Sequence, residues 1–380
     1  MSDLLRVRPG TTAAMSAVFA DSATLRYALA FEAELARAEA AEGLVKPSEA
    51  EEIVNLCATI SIEPAELAKE AAFAGTLAIP LLNRLRAKLS KDAAGQLHRG
   101  ATSQDVADTV LACQIRDAEA LLAGDLNRIL NDLATLAEQT ASTPAIGRTL
   151  LQDALPIGLG LRFAQWHAGL ADAGRRLARD VRTYAGLQFG GAAGTRANLD
   201  GRGARVAAHL ATALDVPNSL PWHGRRTGIA AIATSVAIVV GALGKMARDI
   251  SLLSQNAIDE VREPALPGRG GSSVMAHKRN PTGCQIALTA TYRAPGLAAG
   301  ILAGLPAEQE RGLGGWQAET PALADLFLIA GGSAQAMAEV AEGLEIDQAA
   351  ISRNLAAADV GRDLGESVAL IKALLAQPAV

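Results

Sequence analysis

The chain has 380 residues, half of them hydrophobic but only 3% aromatic, and a formal net charge of −5. Alanine, leucine, valine and glycine must therefore fill a large core, which suits closely approaching helices better than a β-sandwich. The acidic balance excludes the global basic field of a nucleic-acid-binding protein. Cys57, Cys113 and Cys284 form neither a disulfide framework nor a zinc pattern and fit a reducing cytoplasm.

Residues 1–10 carry arginines but no apolar core of a signal peptide. The first hundred residues then read as short amphipathic helices. Leu25–Glu42 places large apolar residues at 25, 29 and 35 and stops at Gly43; Pro47-Ser48 opens another helix, and Pro64 and Pro80 punctuate more. From about residue 103 the spacing predicts long helices over 103–140, 153–188, 201–214, 227–262, 281–304 and 321–343. Residues 227–244 are uncharged and border on membrane-spanning length. Their small side chains, the missing Trp/Tyr belts and the lack of a second span favour the centre of a soluble bundle, buried partly by other subunits. The expectation is an all-α protein: a small helical N-terminal domain (1–97), a central bundle of long helices (98–342) and a shortened C-terminal helical segment (343–380).

Four loop segments carry chemistry. In His98-Arg99-Gly100-Ala101-Thr102-Ser103-Gln104-Asp105, Thr102 and Asp105 fit a capping box. Alone they are an ordinary cap; His98 and Gln104 beside them turn the segment towards binding a carboxylate. Gly147 to Pro156 sets polar residues, Gln152 among them, between two long apolar helices, so they either satisfy one another or face a cleft. Gln188 to Thr195 is a glycine loop after a helix, which makes dinucleotide binding a poor fit.

Gly268 to Pro281 says most. Glycines lead into Ser272 and Ser273, then His277-Lys278-Arg279, then Asn280-Pro281 as the cap and first residue of a helix. Hydroxyls beside cations and a helix N-terminus suit an anionic substrate. Pro221-Trp222-His223 and the charged turn Glu308 to Glu319 are weaker features. The five histidines lack metal-ligand spacing, and His167 and His209 read as structural. With no nucleophile elbow or Walker loop, neither cofactor nor metal is expected.

In this order and spacing, His98–Asp105, Gly147–Pro156 and Gly271–Pro281 resemble the three conserved regions of the fumarase/aspartase superfamily, over roughly residues 20–345. The resemblance implies a cytoplasmic homotetramer whose active sites each draw on three chains, with no nucleic-acid or membrane partner. It implies proton transfer beside a carboxylate of a small polycarboxylate substrate. Ser272 then exchanges the proton and Lys278 stabilises developing charge, while His98, Thr102, Ser103, Gln104, Gln152, Ser273, His277, Asn280 and Arg311 bind substrate. Gln188–Thr195, Pro221–His223 and Glu310–Glu319 resemble the superfamily's cycloisomerases, implying closure of a tricarboxylate diene to a lactone. Leu150 stands where lyases and fumarases usually carry His, which speaks against an adenylosuccinate-type lyase. Ala276 replaces a usual Pro, and Arg225-Arg226-Thr227-Gly228 departs from the usual pattern after Pro-Trp-His. A sulfonate in place of the third carboxylate and a non-catalytic helical assembly are the other readings.

Overall fold

Helices fall into a short-element half and a long-element half. The computed structural model describes residues 10–271, 274–275 and 278–376. First come α1 (Ala13–Val18), α2 (Asp21–Ala41), α3 (Pro47–Thr59), α4 (Pro64–Ala74), α5 (Ala78–Arg86) and α6 (Lys91–Gln96). Local chemistry sets their ends. The Thr12 hydroxyl accepts the Met15 N–H at 2.9 Å to start α1. Pro47 and Pro64 stand in the first turns of α3 and α4, where no backbone donor is lost. The helix expected from Leu25 begins earlier, at Asp21.

The rest of the chain runs α7 (Ser103–Gln139), β1 (Pro144–Thr149), β2 (Gln152–Gly158), α8 (Leu159–Tyr184), α9 (Gly203–Ala213), α10 (Thr227–Leu253) and β3 (Val261–Arg262). Then follow α11 (Thr282–Ala303), α12 (Gly315–Glu342), β4 (Glu345–Ile346), α13 (Gln348–Ala358) and α14 (Ser367–Leu375). Helices α7, α8, α10, α11 and α12 pack as the bundle around the larger of two cores. The smaller core joins α2, α3 and α5 to the start of α7 and to α9. Small residues permit the close approach that the composition suggests. A side chain at Gly244 of α10 would collide with Thr291 of α11.

Three expectations are corrected. Residues 153–158 are not helical: β1 and β2 form an antiparallel hairpin, and α8 starts only at Leu159. Pro156 removes a helix donor and biases Leu155 towards extended backbone, a signal masked by the apolar residues around it. The helix from 227 ends at Leu253 rather than 262; Asp259 takes a left-handed φ of 55° and β3 pairs with β4. Finally, α10 is not alone in having membrane-spanning length and composition, since α11 and α12 share them. Their most apolar stretches are 56%, 28% and 72% buried within this chain, so α11 is the least covered of the three.

Cys57 and Cys113 lie in the smaller core and Cys284 in the larger. Burial pushes the first two thiols up to about 12 and raises the third further.

Candidate active site

One carboxylate organises the start of α7. Asp105 Oδ2 accepts the N–H groups of Thr102 at 3.0 Å and Gly191 at 2.9 Å. Its Oδ1 accepts the Gly190 N–H at 3.0 Å and lies 2.7 Å from His223 Nε2. The capping residue therefore also fastens the glycine loop and the Pro-Trp-His segment. Any side chain at Gly190 would strike the His223 ring. Arg311 closes the cluster, donating to Thr102 Oγ1 at 2.8 Å and to the carbonyls of Gly191 and Ala192 at 3.1 and 2.8 Å. Its buried Nε has no partner among the described residues.

One turn further along α7, Arg226 reaches both oxygens of Asp108, at 2.8 and 2.9 Å, and the carboxylate of Glu319 on α12. All three are buried. Burial works against the Arg226 charge, but Asp108 and Glu319 hold its pKa above the usual value; burial raises that of Glu319, against the pull of Arg226. Gln104 and Gln188 donate to Asp108 Oδ2 at 3.1 and 3.2 Å. Gln104 is fully buried, and its Oε1 has no partner among the described residues. Ser103, half-buried, is the first residue of α7. His98 has a left-handed φ of 64°, and its Nδ1 lies 2.7 Å from Glu32 Oε1 on α2.

The opposite end of the bundle holds the other motif residues. Lys278 is exposed. Asn280 does not cap the next helix as expected: Pro281 holds the cap position, and the Asn280 amide donates to the Gly271 carbonyl at 3.3 Å. The helix N-terminus is instead filled by Glu263, whose carboxylate accepts the Gly283 and Cys284 N–H groups at 2.9 and 2.7 Å. Arg279 is likewise committed, to Glu345 at 2.9 and 2.8 Å and to the Glu263 carbonyl at 2.6 Å. The field expected from Arg279 and from this helix end is thus spent within the protein. Ser272, Ser273, Ala276 and His277 lie outside the described residues. Beside Asn280, Arg248, Ser251, Gln285 and Tyr292 line a cavity of about 380 Å³. Gln152 sits exposed on β2. Its neighbour Arg148 pairs with Asp153 at 3.0 Å and with buried Glu260 at 2.7 Å, so polar groups of this segment satisfy one another.

The site residues thus sort into two groups, His98, Thr102, Ser103, Gln104 and Arg311 at the start of α7, and Gln152, Lys278 and Asn280 towards the other end of the bundle. Glu342, close in sequence to the Glu345 that Arg279 holds, reaches Arg128 of α7, so roughly 40 Å of that helix lies between the groups. One chain does not bring them together. Asp108, Glu263 and Glu32 were not singled out from sequence, and Glu319 only as the end of a charged turn; the signal for Asp108, Glu319 and Glu32 was an acidic residue among apolar ones on a helix, and for Arg226 its place just before the uncharged stretch 227–244.

A bundle of long helices with one polar loop cluster at each end defines a class. The chain belongs to the fumarase/aspartase superfamily, and residues 8–296 match the family described as lyase. It is 44% identical over 349 residues to the 3-carboxy-cis,cis-muconate cycloisomerase of Bradyrhizobium diazoefficiens, covering 91% of this chain and 77% of that protein. With the enzyme of that name from Pseudomonas aeruginosa it shares 43% identity, over 90% of this chain and 76% of the other. Its fold superposes on the crystal structure of the 3-carboxy-cis,cis-muconate lactonizing enzyme from Pseudomonas putida with a TM-score of 0.87, at 41% identity, over 93% of this chain and 80% of that one.

Proposed function

We propose that this protein is a cofactor-independent cycloisomerase that closes 3-carboxy-cis,cis-muconate to 4-carboxymuconolactone, a step of protocatechuate breakdown in the cytoplasm. The observation that carries this reading is the close likeness, in sequence and fold, to enzymes named for that substrate. In the reaction a substrate carboxylate oxygen adds to the diene, forming the ring C–O bond, and a proton is delivered to the carbon next to another carboxylate. The hard species is the enediolate-like anion between those events, which preorganised donors must stabilise. Thr102, Ser103 and Arg311 hold substrate carboxylates at the start of α7, with Gln104 supporting them from beneath. Ser272 delivers the proton and Lys278 offsets the developing charge, and Asn280, Ser273, His277, His98 and Gln152 complete the binding set. Leu150 in place of a histidine fits a lactonising reaction better than an adenylosuccinate-type one.

The two residue groups lie at opposite ends of the bundle, so a complete site needs several copies. A homotetramer meets this need, and α11, the least covered of the three long apolar helices, supplies a surface for it. The test is direct. Purified protein mixed with 3-carboxymuconate should bleach the diene's ultraviolet absorbance without added metal or nucleotide, and Ser272→Ala should keep the assembly while losing most turnover. No bleaching, with fumarate released from adenylosuccinate instead, would overturn the assignment.

A further inference from the structure

Glu32 is one of the most deeply buried acids in the protein, 1% exposed, and stands outside every motif above. It projects from α2 towards the loop before α7. One oxygen lies 2.7 Å from His98 Nδ1, while the other has no hydrogen-bond partner among the described residues. A buried carboxylate with half its accepting capacity unused is costly to maintain. A neutral amide or a backbone carbonyl would anchor a histidine at less expense, so the charge calls for a reason. His98 supplies one. The contact of Nδ1 with Glu32 holds the ring in place. The side chain is 11% exposed, and the Glu32 contact is made through Nδ1, not Nε2. The ring stands four residues ahead of Thr102, on a loop whose Gly100 carbonyl abuts Gly191, the residue that Arg311 and Asp105 clamp.

We propose that Glu32 is a positioning residue of the anion site: by accepting the Nδ1 proton of His98 it leaves Nε2 as the nitrogen that meets a substrate carboxylate. The hydrogen bond made by one ring nitrogen decides what the other can do. With Nδ1–H given to a carboxylate, the neutral ring offers a lone pair at Nε2. On meeting an anion that nitrogen takes up a proton from the surrounding water and donates it as a charged hydrogen bond, the new positive charge being compensated by Glu32 behind it. This inference rests on the reading of the 98–104 segment as part of the substrate site.

Two measurements test it. In protein carrying nitrogen-labelled histidine, with His98→Asn identifying the resonances, the neutral His98 ring should carry its proton on Nδ1, and Glu32→Gln should populate the Nε2–H form. In turnover of 3-carboxymuconate, Glu32→Gln should raise KM about tenfold, the difference between a charged and a neutral hydrogen bond, and leave kcat within about twofold. A wild-type ring protonated at Nε2, or a variant with unchanged KM, overturns the proposal. Absence of turnover in the wild type would instead sink the reaction assigned above, and the nitrogen spectrum still decides the Glu32–His98 pairing.

Discussion

Asp105 shows what a sequence can and cannot say about a residue. Its capping role is local, four positions along one chain, and was legible as such. Its bonds to Gly190, Gly191 and His223 span 85 to 118 positions and had no local signature. The same limit explains Arg279 and Asn280, whose partners are fixed by how β3, β4 and α11 meet rather than by neighbours in sequence. Glu39 gives a measurable consequence at this scale. It lies on α2 beyond Glu32, and burial pushes its carboxyl from 4.5 up to about 8, Arg99 opposing and Glu32 reinforcing the shift. An acid with a raised folded-state pKa keeps a proton that the unfolded chain has released. Stability is therefore lost as pH climbs from about 4.5 to about 8, and the penalty is complete above that. Glu39→Gln should match the wild type near pH 5 and exceed it by on the order of a few kcal/mol near pH 9, read from urea midpoints. Parallel pH profiles for the two proteins would show that Glu39 is ionised in the fold.

Among the elements, the β1–β2 hairpin departs furthest from expectation. Thr149 pairs with Gln152, so Leu150 and Leu151 alone make the turn, with φ of 51° and 62°. A two-residue turn with both φ positive favours Asn-Gly, and each leucine there costs about 1–2 kcal/mol. No turn signal was visible because the residues that usually write it are missing. Both leucines are also left in water, 96% and 75% exposed. Strain and exposure together mark a tip shaped for a contact outside the chain. Leu150→Asn with Leu151→Gly should raise stability by about 1–2 kcal/mol while turnover falls several-fold. A stability gain with unchanged turnover would show the tip to be a plain turn. The long helices, by contrast, were legible to within a few residues wherever glycine or capping residues bounded them. Pro321, expected to open α12, sits inside it instead.

At the scale of the molecule, the all-α architecture and the superfamily could be read from composition and motifs. The placing of Thr102 and Lys278 at opposite ends of the bundle could not, because that depends on how five helices alternate in direction. It leads to a complementation experiment. An assembly of Thr102→Ala chains and one of Lys278→Ala chains should each be nearly inactive. Their mixture, after subunit exchange, should recover part of the wild-type rate. Proven exchange without recovery would mean that each site draws both residues from one copy. The cysteines add a different consequence. Shielded thiols that hold their protons react with alkylating agents only when their surroundings open. Cys57 and Cys113 sit in one core and Cys284 in the other, so the native chain carries its own clocks: pulsed alkylation followed by peptide mapping would time the loosening of each half separately, without an engineered label.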